Sequence, residues 1–205
     1  MNIGEKKCNN SVYVAGVITR QLEFSHEIFG EKFYSTEISI KRNSGTFDKI
    51  VTIISERLIN YNNIDIGSLV GINGEFRSWN SPENHLKLFI FVNELEIFSE
   101  EEVYKNKIVL TGYICKKPVY RLTPKGKEVT DILIATNRKF NRSDYIPSIF
   151  WGRNAKYANT LKVGDMITCI GRIQSRYYSK CINDTWVQKV AYEVSCNLIE
   201  KVLNY

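Results

Sequence analysis

The chain has 205 residues, room for one large domain or two small ones, and 43% of them are hydrophobic, enough to pack a core without disulfide or metal staples. Lys and Arg outnumber Asp and Glu by 28 to 22; the resulting net charge of +6 suits a polyanionic partner or a merely solvated surface. No apolar run is long enough to span a membrane and the first ten residues lack the apolar stretch of a secretory signal, so a cytoplasmic protein is expected. Five cysteines (Cys8, Cys115, Cys169, Cys181, Cys196) are scattered without CxxC spacing, which predicts reduced thiols, no zinc and no cofactor.

In chain order, Ser11–Ile18 (SVYVAGVI) alternates apolar residues around a glycine and reads as a strand. Thr36–Ile40 (TEISI) is a second strand, Glu56–Tyr61 a short helix, Ile64–Ser78 (IDIGSLVGINGEFRS) a turn and strand, and Leu86–Phe98 a last strand. The same blocks then recur. Lys107–Ile114 (KIVLTGYI) matches the first and Thr130–Ile134 (TDILI) the second, and Leu161–Ser175 (LKVGDMITCIGRIQS) matches Ile64–Ser78, with Gly67 opposite Gly164 and Gly74 opposite Gly171. Gly152–Leu161 places Ala155, Ala158 and Leu161 at helical spacing before a Lys162-Val163-Gly164 stop, and Val187–Val202 closes the second set. Four blocks in one order indicate a duplication.

Each repeat therefore reads β-β-β-α-β-β, the order of an OB barrel, a five-stranded Greek-key barrel with a helix between strands three and four; a β-sandwich would not carry that helix. The expected division is a first barrel over 1–98, a linker over 99–105 and a second barrel over 106–205. The charged join Ser99–Asn106 (SEEEVYKN) is too short to let the halves roam. Two barrels in mutual contact, rather than one continuous sheet, are expected.

Charge is segregated. Residues 1–98 hold ten Lys or Arg against twelve Asp or Glu, a balance of −2, while 103–205 hold eighteen against seven, a balance of +11. The second repeat also interleaves its cations with aromatics. Asn137–Trp151 (NRKFNRSDYIPSIFW) offers Arg138, Lys139 and Arg142 beside Phe140, Tyr145 and Trp151, and Arg153 follows. In Gly171–Lys180 (GRIQSRYYSK), strand alternation puts Arg172, Gln174, Arg176 and Tyr178 on one face with Ile173 inward. Tyr177 is expected inward beside Tyr178, and Phe150 is expected in the core. Trp186, on the return strand of a hairpin, joins the candidates, and Thr123–Lys127 (TPKGK) reads as a polar hairpin tip. Cations that track phosphates and aromatic faces that stack on unpaired bases are the combination that single strands require.

At these residues the second repeat resembles the bacterial single-stranded DNA-binding protein family, through 106–141, YIPSIFWGRNAKYANTLKVGDMITCIGRIQSRYY and AYEVSCNLIEKV. The resemblance implies OB folds, sequence-independent binding of single-stranded DNA in replication, recombination or repair, and assembly of four barrels, hence a homodimer of this two-barrel chain. It places Tyr145, Trp151 and Tyr178 at stacking positions and Arg176 at a backbone contact. The first repeat aligns more weakly: Ile54 stands at the Trp151 position, Trp79 opposite Arg176 with Arg77 before it, and Phe47 near Tyr145. A structural or assembly role is expected there, with part of the groove lost. The two-repeat chain resembles a clostridial-type member. Family members usually end in a flexible tail with an acidic, aromatic tip; this sequence ends KVLNY, so recruitment of partners by such a tail is not expected.

Catalysis is not expected. His26 and His85 sit in polar, loop-like contexts, and no phosphate loop, metal cluster or nucleophile motif occurs. RNA binding, a primosomal accessory role and a protein-interaction module are the alternatives that composition leaves open.

Overall fold

A computed structural model describes residues 9–81, 86–99, 104–138, 141–182 and 184–202. The first repeat contains β1 (Asn10–Ile18), β2 (Glu23–Ile28), β3 (Glu31–Lys41), β4 (Phe47–Ser55), α1 (Glu56–Asn62), β5 (Leu69–Asn80) and β6 (Leu86–Ile97). The second contains β7 (Lys105–Ile114), β8 (Val119–Leu122), β9 (Glu128–Arg138), β10 (Arg142–Trp151), α2 (Arg153–Thr160), β11 (Met166–Ile182) and β12 (Thr185–Lys201). Each repeat has one strand more than the sequence suggested, because β2 and β8 fold back on β3 and β9 as hairpins outside the barrel order.

The barrels close where β1 meets β3 and β7 meets β9. Two glycines permit this. A Cβ on Gly16 would lie 2.3 Å from the Ser39 carbonyl oxygen, and one on Gly112 would lie 2.3 Å from that of Ala135. Alternation then fills each interior with branched aliphatics: Val12, Val14, Ile38, Ile72 and Phe76 in the first barrel, Ile108, Leu110, Ile134, Phe150 and Ile173 in the second. These belong to a single buried cluster.

The halves touch, as the short join implies, but the expectation that they would not form one continuous sheet is corrected. β1 and β7 pair antiparallel, Asn10 opposite Leu110 through Ala15 opposite Lys105, and so join all twelve strands into one sheet. Both strands would otherwise present unpaired backbone groups along an exposed edge. The pairing is centred on Val12 and Ile108, which are themselves equivalent positions, so a pseudo-two-fold axis passes between them.

Polar contacts repeat about that axis. Asn10 Nδ2 donates to the Phe76 carbonyl and Asn10 Oδ1 accepts from Phe76 N–H; Asn106 does the same with Ile173. Asp48 Oδ1 accepts from Ser175 N–H at 2.7 Å, and Asp144 Oδ1 from Ser78 N–H at 2.7 Å. Each aspartate is 1% exposed, one held by Arg42 and Arg172, the other by Arg138. Buried carboxylates that each satisfy the opposite barrel's backbone fix the angle between the barrels as well as their contact.

The two aspartates are not equally well served. Asp48 takes two hydrogen bonds from Arg42, whereas Arg138 Nε lies 3.2 Å from Asp144 Oδ2 without hydrogen-bond geometry, leaving both atoms buried and unsatisfied. Burial pushes the Asp144 carboxyl above its ordinary value of 3.8, against the pull of Ser78 N–H and Arg138. A carboxyl whose folded pKa is raised loses stability as pH rises through that folded value. Asp144→Asn should therefore gain stability relative to wild type between pH 4 and pH 7 in paired urea melts; a relative loss would contradict this assignment. Asp48→Ala should cost about 1–3 kcal/mol by leaving Ser175 N–H buried and unpaired. Because sheet and core are shared, it should still melt in one transition; two separated transitions would show that the seam is not structural.

Candidate nucleic-acid interface

On the outside of the second barrel, Tyr145 and Trp151 are exposed while Ile146 and Phe150 fill the core, and Tyr178 is exposed on β11 where the strand runs past the barrel. Phe150 is fully buried, whereas Tyr145 is 40%, Trp151 38% and Tyr178 38% exposed, so these three are surface and not core. Trp151 stays on the face because Gly152, at φ 55, makes the turn into α2. Its Nε1–H donates to Ser195 Oγ on β12 at 3.1 Å, which fixes the plane of the indole. Tyr145 lies at the seam, its N–H donating to Ser78 Oγ one residue before the exposed Trp79. Tyr178 stands opposite Lys189 on the long β11–β12 ribbon.

The expected basic residues divide into free and committed. Arg142, Arg153 and Arg176 are exposed and make no ion pair among the described residues. Arg138 faces Asp144, and Arg172 lies 3.4 Å from Asp48 beside Gln174, whose amide donates to Glu193. The Asp48 hydrogen bond raises the pKa of Arg42, while burial and the neighbouring Arg42 lower that of Arg172. Arg138 and Arg172 hold the seam and are not free cations of the surface. Lys139 and Phe140 lie outside the described residues.

Tyr177 does not point inward. It is 51% exposed, because beyond Ser175 the β11–β12 ribbon runs past the barrel and both of its faces meet water. Trp186, paired with Cys181 near the tip, is 74% exposed for the same reason. Phe47 is exposed and sets its ring edge against Tyr104 at 6.5 Å. Trp79 has Lys87 Nζ at 5.4 Å, and Arg77 pairs with Glu75 while lying 3.7 Å over the Phe91 ring.

Two correspondences between the repeats are corrected by register, and a third is sharpened. Ile18 meets Ile38 as Ile114 meets Ile134, so TEISI corresponds to residues 132–136 and not to TDILI; a slip of two preserves strand alternation and is invisible to pattern. Tyr34 pairs with Ile54 as Thr130 pairs with Phe150, so Ile54 is the counterpart of Phe150, fully buried like it, and Ser55 is the counterpart of Trp151. By the same register Lys49, next to Phe47, stands at the Tyr145 position. The repeats differ by one residue here: Ser55 ends its strand and also N-caps α1, whereas the second repeat uses Trp151 for one task and Gly152 for the other.

Pattern reading also missed an aromatic ladder on the first barrel. His26 lies on β2, not in a loop, and stacks on Phe33 at 5.0 Å and 9°; Phe33 in turn meets Phe91 at 5.6 Å. In LKLFIFV both alternating sets are apolar, so pattern does not tell that Leu88, Ile90 and Val92 turn inward and Phe89 and Phe91 to the other face. Among the described residues no group of three His, Cys, Asp or Glu could hold a metal, and no helix is long and apolar enough to cross a membrane.

Residues 105–202 match the model of the single-strand binding protein family. Over 80 residues the chain is 38% identical to a single-stranded DNA-binding protein of Oceanobacillus iheyensis, covering 36% of this chain and 50% of that one. It is equally 38% identical over 80 residues to single-stranded DNA-binding protein A of Bacillus subtilis, covering 36% and 46%. The chain thus spans about half the length of the curated relatives it matches. The crystal structure of the wild-type single-stranded DNA binding protein from Thermus aquaticus superimposes with a TM-score of 0.75 at 18% identity, covering 96% of this chain and 94% of that one, and shares the tandem OB fold. It is through residues 105–202, just under half of the chain, that the sequence is similar to the single-strand binding protein family.

Proposed function

We propose that the chain binds single-stranded DNA without sequence preference, as a binding protein and not a catalyst, in replication, recombination or repair. The observation that carries this reading is the outer face of the second barrel. There Tyr145, Trp151 and Tyr178 are each more than a third exposed, with the exposed cation Arg176, which makes no ion pair among the described residues, two positions from Tyr178. Core packing does not require them outside, and stacking on bases does. The names of the bacillar relatives point the same way. The second barrel, 106–205, supplies the main surface with Arg142, Arg153 and Trp186 at its margins. The first, 1–98, serves mainly in assembly, with Trp79 and Phe47 meeting the strand near the seam.

Trp151→Ala should remove one stacking platform and weaken binding of dT oligomers by about 1–3 kcal/mol. Arg176→Ala should instead reduce the slope of affinity against salt by about 0.7 for each phosphate that is no longer neutralised. Both are read by fluorescence titration at two salt concentrations on variants shown by melting to be folded. Unchanged binding by Trp151→Ala, with binding abolished by Phe47 or Trp79 changes, would move the main surface to the first barrel. Parallel titration with U oligomers separates DNA from RNA preference.

Two chains would supply four barrels, and the outer face at the axis suits this assembly. It carries Glu94 and Glu96 on β6 and Lys105 and Lys107 on β7, all exposed, so two faces stacked in opposite sense bring unlike charges together. Light scattering should give about twice the chain mass of 23.8 kDa at micromolar concentration. A mass near that of one chain would refute the dimer.

A further inference from the structure

The exchange of Trp151 for Ser55 leaves a space. In the second barrel the indole reaches from the end of β10 across to Ser195 on β12. In the first barrel the small residue is on β4 and the ring is on β6: Ile53 pairs with Phe91 as Ile149 pairs with Ser195, so Phe91 occupies the Ser195 position. Where the indole would lie there is an open hollow of about 340 Å³, lined by Glu31, Phe33, Ser55, Arg57, Phe91 and Asn93 among others. Its rings are held by neighbours, Phe33 by His26 and Phe91 by the Arg77 guanidinium, so little side-chain freedom remains to be lost on binding.

We infer that this hollow seats one unpaired base of a bound strand, taking from the ligand the planar ring that the second barrel supplies itself as Trp151. The inference rests on the single-strand reading above. Phe33 and Phe91 offer aromatic surface, and the Arg57 guanidinium is the cation at the rim. The Glu31 carboxylate, which accepts weakly from Arg57 N–H, is placed to accept from an exocyclic amino group, so a base such as cytosine is favoured over thymine. The first barrel's groove is therefore altered rather than absent, and its selectivity differs from that of the second.

The test uses the full chain. Phe33→Ala and Phe91→Ala each remove one wall of the hollow; both are checked by melting, since the two rings pack on each other. Each variant should bind dC oligomers long enough to reach both barrels on the order of 5- to 100-fold more weakly, the worth of one stacked base. Short oligomers confined to the second barrel should bind as to wild type. Photocrosslinking of wild type to strands bearing 5-iododeoxycytidine should mark residues 31–33 or 91–93. If wild type binds long strands but both variants match it, or crosslinks stay in the second repeat, the hollow is not a base site and serves at most a protein side chain. If wild type binds no strand, the single-strand reading falls and this inference with it.

Discussion

The antiparallel pairing of β1 with β7 is the constraint on which the rest of the molecule depends. It satisfies two strand edges at once, joins twelve strands, and sets a pseudo-two-fold axis between Val12 and Ile108. An isologous contact of this kind usually forms between identical chains, where any change of sequence appears on both sides. Here the two sides are encoded separately. Residues 1–98 could become acidic and 103–205 strongly basic while the paired Asn10/Asn106 and Asp48/Asp144 contacts were kept.

The seam also changes what net charge means. Arg42, Arg138 and Arg172 converge on two carboxylates that are almost wholly buried, and Gln174 is held by Glu193. The excess of +11 in the second repeat therefore overstates the cations open to a polyanion. Arg142, Arg153 and Arg176 remain exposed along the β10–β11 side and at the start of α2, while Lys105, Lys107, Lys116, Lys117, Lys125 and Lys127 are exposed on β7 and around β8. Net charge identifies the more basic half of the chain; the ion pairs identify which of its side chains are committed to the seam.

Much of this was legible in the sequence. The recurring blocks and glycine positions disclosed the duplication, helical spacing disclosed the short helices, and alternation the face shared by Tyr145 and Trp151. Three kinds of error have physical causes. A slip of two residues, as between TEISI and its true counterpart, preserves every inward and outward position. A single inserted residue at a strand-to-helix junction, Gly152, moves Ser55 into the place assigned to Ile54. A ribbon longer than its barrel, as β11–β12 is, keeps the alternating pattern where no core remains to bury Tyr177. The seam aspartates gave no local signal, because their partners lie more than sixty residues away in sequence.

Hydrogen–deuterium exchange of the full chain with and without a dT oligomer addresses the central claim, that the second barrel's outer face takes the strand while the seam only holds it in place. Slowed exchange is predicted in β10, in β11 from Gln174 onward and in the facing part of β12, with β1 and β7 unchanged. Protection confined to the first repeat, or centred on the β1–β7 seam, would contradict that claim.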